Sequence, residues 1–168
     1  MEGYRVFINE FSELFDTLFS KNPKHFNERG KFSDLLIPVK SCKIFSKIFD
    51  SNNDYILSNP NGKITFYQFY EYIADNVQYL KHKAINELEI ERNKNIESII
   101  YKSTAKEKNI IKKYTELLNN IANTMQNYLL SVKQLLANNT LQTTVNNFID
   151  YKSNIDVFIN KYCNDQLY

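Results

Sequence analysis

All three glycines (Gly3, Gly30, Gly62) and all three prolines (Pro23, Pro38, Pro60) lie before residue 63, and the remaining 106 residues contain neither. Glycine and proline are the strongest punctuators of local structure. Their absence from residues 63–168 predicts long helices with few breaks. The fold class that follows is all-α, with a paired helix–loop–helix unit at the N-terminus. Long helices follow it, forming either a bundle or a coiled-coil arm.

The start points of these helices are written in the sequence. Thr65 with Gln68 is a capping box, in which a hydroxyl and an amide each satisfy an orphan backbone N–H. A helix from Thr65 would carry Phe66, Phe69, Tyr70, Ile73, Val77, Leu80, Ala84 and Leu88 on its inner face. Ser103-Thr104 with Glu107 is a second box, which places a break near 102–105. The next helix runs to about 137, with Ile110, Tyr114, Leu117, Ile121, Met125, Tyr128, Val132 and Leu135 at heptad-like steps. Asn138-Asn139-Thr140 reads as a turn before a last helix, about 141–163. That helix carries Phe148, Ile149, Ile155, Phe158, Ile159 and Tyr162, and Ser153 with Asp156 offers a restart inside it.

The first third repeats itself. Phe11-Ser12-Glu13-Leu14-Phe15-Asp16 is echoed by Phe45-Ser46-Lys47-Ile48-Phe49-Asp50, and Gly30-Lys31-Phe32-Ser33 by Gly62-Lys63-Ile64-Thr65. Two helix–loop–helix units result, about 4–40 and 41–80, and a repeat of this kind is read before any single motif. A helix over 4–20 carries Phe7, Phe11, Leu14, Phe15, Leu18 and Phe19 at steps of three and four. A short helix over 41–50 has Ser41 as its N-cap candidate, with Ile44, Phe45, Ile48 and Phe49 on one side. The domain reading is 1–65 for the repeat unit and 66–168 for the long helices.

Gly62, Ile64, Thr65 and Gln68, echoed by Gly30, Phe32, Ser33 and Leu36, resemble the second half of an EF-hand. Phe15-Asp16 and Phe49-Asp50 resemble the ends of its entering helices. The resemblance covers about residues 5–75 and implies paired helices joined through apolar residues of the two loops. Calcium needs several oxygens and charge compensation. Counted back from Gly62 the ligand positions fall on Leu57, Asn59 and Asn61, closing at Gln68; from Gly30 they fall on His25, Asn27 and Arg29, closing at Leu36. The implied loops are therefore degenerate and hold no metal. Asp50, Asn52 and Asp54 are the weak remaining candidates for an irregular cation site.

The net charge is +2, and the cations are 18 Lys against 3 Arg, so bidentate phosphate or base readout has few candidates. Frequent Lys, Asn, Ile, Tyr and Phe fit an AT-rich coding genome, as of a protist, parasite or large virus. Cys42 and Cys163 stand alone and read as free thiols in a reducing compartment. His25 and His82 have no metal-ligand spacing and read as surface residues. No stretch approaches the roughly 18 apolar residues of a membrane span. Glu2, Arg5, Glu10 and Glu13 interrupt any leader-like run. The expectation is a soluble, cytoplasmic protein.

No nucleophile elbow, phosphate loop or dinucleotide pattern is present, and Glu87, Glu89 and Glu91 alternate around their helix. The aromatic run Phe66, Tyr67, Phe69, Tyr70, Tyr72 lacks interleaved cations, so it reads as core, with Tyr67 and Tyr72 at the rim. Charge is uneven: residues 81–116 hold 15 charged side chains among 36, whereas 117–149 hold only Lys133 among 33. The depleted stretch suits a bundle centre or a protein interface; codon bias toward Asn is the alternative. The functional expectation is a non-catalytic structural or adaptor subunit, without cofactor, nucleic acid or small-molecule substrate. It binds protein partners, or itself, through Tyr114, Leu117, Ile121, Met125, Tyr128 and Val132. The alternatives are a calcium-responsive EF-hand-type binder and a viral or parasite bundle that captures a host helix.

Overall fold

The computed structural model describes residues 2–19, 36–49, 62–94, 102–133 and 139–163. Helix α1 spans Glu2–Leu18, strand β1 Leu36–Pro38, helix α2 Lys43–Ile48, strand β2 Lys63–Thr65, helix α3 Phe66–Asn93, helix α4 Ala105–Lys133 and helix α5 Asn139–Cys163. The long helices fold back as a bundle rather than projecting as an arm. α4 packs on α3, α5 packs on α4, and α1 touches α3, α4 and α5.

Both capping boxes form. The Gln68 N–H donates to the Thr65 hydroxyl at 3.1 Å, and the Thr65 N–H donates to the Gln68 side-chain oxygen at 2.9 Å. Glu107 N–H to the Thr104 hydroxyl (3.2 Å) and Thr104 N–H to Glu107 Oε2 (3.1 Å) repeat the device at α4. These reciprocal bonds fix the helical phase, and all eight inner-face residues expected of α3 are buried. α3 stops earlier than expected, at Asn93, where the Lys94 N–H bonds back to Arg92 and Glu91. α5 runs unbroken through Ser153, which is exposed in mid-helix, so the restart predicted there does not occur.

The unit expected over 4–40 does not close on a helix. Pro38 disfavours helical backbone at Ile37, and Leu36–Pro38 is extended instead, pairing antiparallel with β2 in the register Leu36↔Thr65, Ile37↔Ile64, Pro38↔Lys63. Burial alternates along it, with Leu36 and Pro38 exposed and Ile37 and Val39 buried, as a strand on a core requires. The Val39 N–H continues the ladder to the Gly62 carbonyl at 3.0 Å. Ile64 lies opposite Ile37 in a cross-strand pair; Phe32, the twin with which the EF-hand resemblance pairs it, lies outside the described residues. Ser41 is not an N-cap. It sits in a 3₁₀ turn, Val39–Cys42, that leads into α2 without a side-chain cap. On α2 only Phe45 is fully buried, and Ile44 is 52% exposed.

One core joins residues from both sides of position 65. Phe7 meets Phe158 at 6.2 Å and Tyr162 at 4.8 Å, and Phe11 meets Phe158 at 5.7 Å. Phe19 bridges Tyr70 at 5.0 Å and Phe148 at 5.5 Å. Phe69 stands between Phe45 (5.1 Å) and Tyr128 (5.3 Å), which brings α2, α3 and α4 together. Tyr72, expected at the rim, is buried against Phe49 at 6.0 Å. Because Phe69 is fully buried among three elements, Phe69→Ala should cost about 3–5 kcal/mol of stability. Urea denaturation followed by circular dichroism checks this, with the exposed Tyr79→Ala expected to stay within about 0.5 kcal/mol of the parent.

Candidate protein-binding face

The expected partner anchors lie inside the fold. Tyr114, Ile121 and Met125 are fully buried, and Leu117 and Tyr128 are half-buried against the same core. The Val132 side chain lies outside the described ones. Ile111, Leu118, Ala122 and Leu129 are buried alongside them. A globular helix buries a stripe wider than a two-position heptad seam, and here α2, α3 and α5 of the same chain cover it. The Tyr114 hydroxyl donates to Glu87 at 3.1 Å. Burial, with that carboxylate as acceptor, pushes its pKa well above the usual phenol value, and burial does the same to Tyr128.

The alternating carboxylates Glu87, Glu89 and Glu91 do not form one site. Glu87 serves Tyr114, Glu91 pairs with Lys94 (3.5 Å) and Lys106 (3.9 Å), and Glu89 is exposed. Burial raises the Cys42 thiol to about 12 and the Cys163 thiol to about 11, far from the thiolate that nucleophilic chemistry needs. Among the described residues, no group of three or more His, Cys, Asp or Glu is placed to hold a metal. Asp50, Asn52 and Asp54 lie outside them, as does His25. Nor is any helix among them long and apolar enough to cross a membrane.

An open groove of about 280 Å³ runs between α1 and α5 over Leu14, Val157 and Phe158. Glu10 and Glu13 both line it, and Glu10 is already engaged. Lys161 Nζ donates to both Glu10 oxygens at 3.1 and 3.2 Å, and the Tyr162 hydroxyl donates to Oε2. The Tyr162 hydroxyl above all, with Lys161 adding to it, holds the Glu10 pKa below the usual 4.5 although burial pushes the other way. The cluster is a clasp between the two ends of the chain. A carboxylate with a lowered folded pKa contributes stability above its unfolded value and loses it as pH falls through the folded one. The advantage of the parent over Glu10→Gln in urea midpoint should therefore be full near about pH 6 and vanish near about pH 3.

What remains available is the outer side of the α4–α5 hairpin. On α4 the exposed positions Glu116, Asn120, Asn123, Asn127 and Leu130 follow steps of four, three, four and three. Beyond Glu116 this line is uncharged, and it ends on Leu130, 38% exposed. Thr124 and Ser131 turn their hydroxyls back onto the carbonyls of Asn120 (2.8 Å) and Asn127 (3.1 Å). On α5, Ile149, expected on the inner face, is 47% exposed. Cys163 lies close enough to Lys108 and Lys112 to feel their charge. Ile149, Asp156 and Cys163 are seven residues apart, on one line of α5; Lys112, Asn123 and Leu130 share one line of α4.

No protein-family model matches the chain, and neither a curated protein nor a solved structure matches it.

Proposed function

We propose that this chain is a non-catalytic subunit that binds protein through the outer face of α4 and α5. The observation that carries the reading is a solvent-facing helical stripe without charge. At the chain-wide charged share of 24%, about eight charged residues belong in the 33 positions of 117–149, and one is present. AT-rich coding does not explain the deficit, because it favours Lys codons as strongly as Asn codons and 17 of the chain's 18 Lys lie elsewhere. Burial does not explain it either, since Asn120, Asn123 and Asn127 face solvent. Charge depletion with exposed aliphatic side chains is the composition of an interface core.

A photo-crosslinking residue at Asn123 tests the reading in cells that express the chain. It should give a discrete protein adduct, identified by mass spectrometry, whereas the same residue at the exposed Asp75 of α3 should not. The adduct at Asn123 should fall at least about tenfold when Asn127→Lys is added. Equal labelling at both positions, or none at Asn123, refutes it.

A further inference from the structure

We propose that the outward surface of β1, the 3₁₀ turn and α2 docks reversibly on an anionic lipid bilayer. Lys40, Lys43, Ile44 and Lys47 are all exposed and follow steps of three, one and three, so they share the outer face of one helical run. Val39, Cys42 and Phe45 turn the other side of that run into the core. The ribbon extends the same surface. Leu36 and Pro38 are the exposed positions of β1, and Lys63 stands with them, because residues paired across a ladder project to one side. Two aliphatic side chains protrude among these lysines, Leu36 at 58% and Ile44 at 52% exposure.

The charge here is uncompensated. Residues 35–49 hold three lysines and no acidic residue. Among the described residues, no carboxylate pairs with Lys40, Lys43, Lys47 or Lys63. Of the neighbouring helices, α4 has no acidic residue beyond Glu116, and α3 has one in its first two turns, the exposed Glu71. Composition selects the occupant. Protein interfaces are depleted in Lys, whereas here lysines surround the exposed aliphatic side chains. Nucleic acid is held by Arg forks and aromatic stacking; this surface has no Arg, and Phe45 is buried. A bilayer suits both parts of the surface. Ammonium groups meet anionic headgroups, and the aliphatic side chains enter the headgroup boundary. No helix among the described residues is long and apolar enough to cross a membrane, so the contact is peripheral.

Flotation of the full chain with vesicles tests this. Phosphatidylcholine vesicles with about 30% phosphatidylserine should carry the chain at about 0.1 M salt, and pure phosphatidylcholine vesicles should not. Lys43→Ala should weaken binding about fivefold, and Lys40→Ala, Lys43→Ala and Lys47→Ala together about a hundredfold. Ile44→Ser should weaken it about fivefold by removing the aliphatic insertion. All four positions are exposed, and far-ultraviolet circular dichroism checks that the variants stay folded. Equal binding to both vesicle types, binding to neither, or binding indifferent to the lysines overturns the proposal. So does sensitivity to the lysines without sensitivity to Ile44→Ser, which marks a general polyanion site. Tighter binding to polyglutamate or single-stranded RNA than to the anionic vesicles overturns it too. The α4–α5 face is tested separately by the Asn123 crosslink, whatever the vesicles show.

Discussion

The tilted and edge-on ring contacts of Phe7 with Phe158 and Tyr162, and of Phe11 with Phe158, are the packing that ties the fold together. It joins the first helix to the last across almost the whole chain. Without it the phenylalanine stripe of α1 would lose one of its walls. The Glu10, Lys161 and Tyr162 cluster sits at the same junction and sets which turn of α5 meets which turn of α1. Rings supply the area and the clasp supplies the register. Exposed ion pairs contribute little by themselves, so the aromatic contact is the larger of the two effects.

Much of the helical frame was legible because two capping boxes announced it. Thr65 and Thr104 each commit a definite residue to the first turn, and every inner-face position of α3 follows from that phase. The ends were harder to read. Nothing in the residues around Asn93 resembles a stop, and the helix ends where its last N–H groups bond back on themselves. The strand Leu36–Pro38 is too short to show a periodicity of its own. Its signal was local: a proline following an isoleucine, within an apolar and exposed alternation.

The binding face illustrates a different difficulty. The heptad steps through Tyr114, Ile121 and Met125 were real, but a seam of that spacing does not say whether its cover comes from the same chain or from another. The structure answers with the chain's own helices. The informative pattern lay on the opposite side of α4, in Asn120, Asn123 and Asn127. The scarcity of charge was visible in the sequence. That it belonged to an outward-facing line became clear only once burial was assigned position by position.

The small ribbon of β1 and β2 has a consequence for how copies of this protein can associate. Bonded and non-bonded pairs alternate along an antiparallel ladder. The Val39–Gly62 bond therefore marks Ile37 and Ile64 as inward-bonding, and Pro38 and Lys63 as the positions whose backbone faces the open margins. Pro38 offers no donor at its margin, and Lys63 carries an ammonium group at the other. Both devices blunt a sheet against lateral growth.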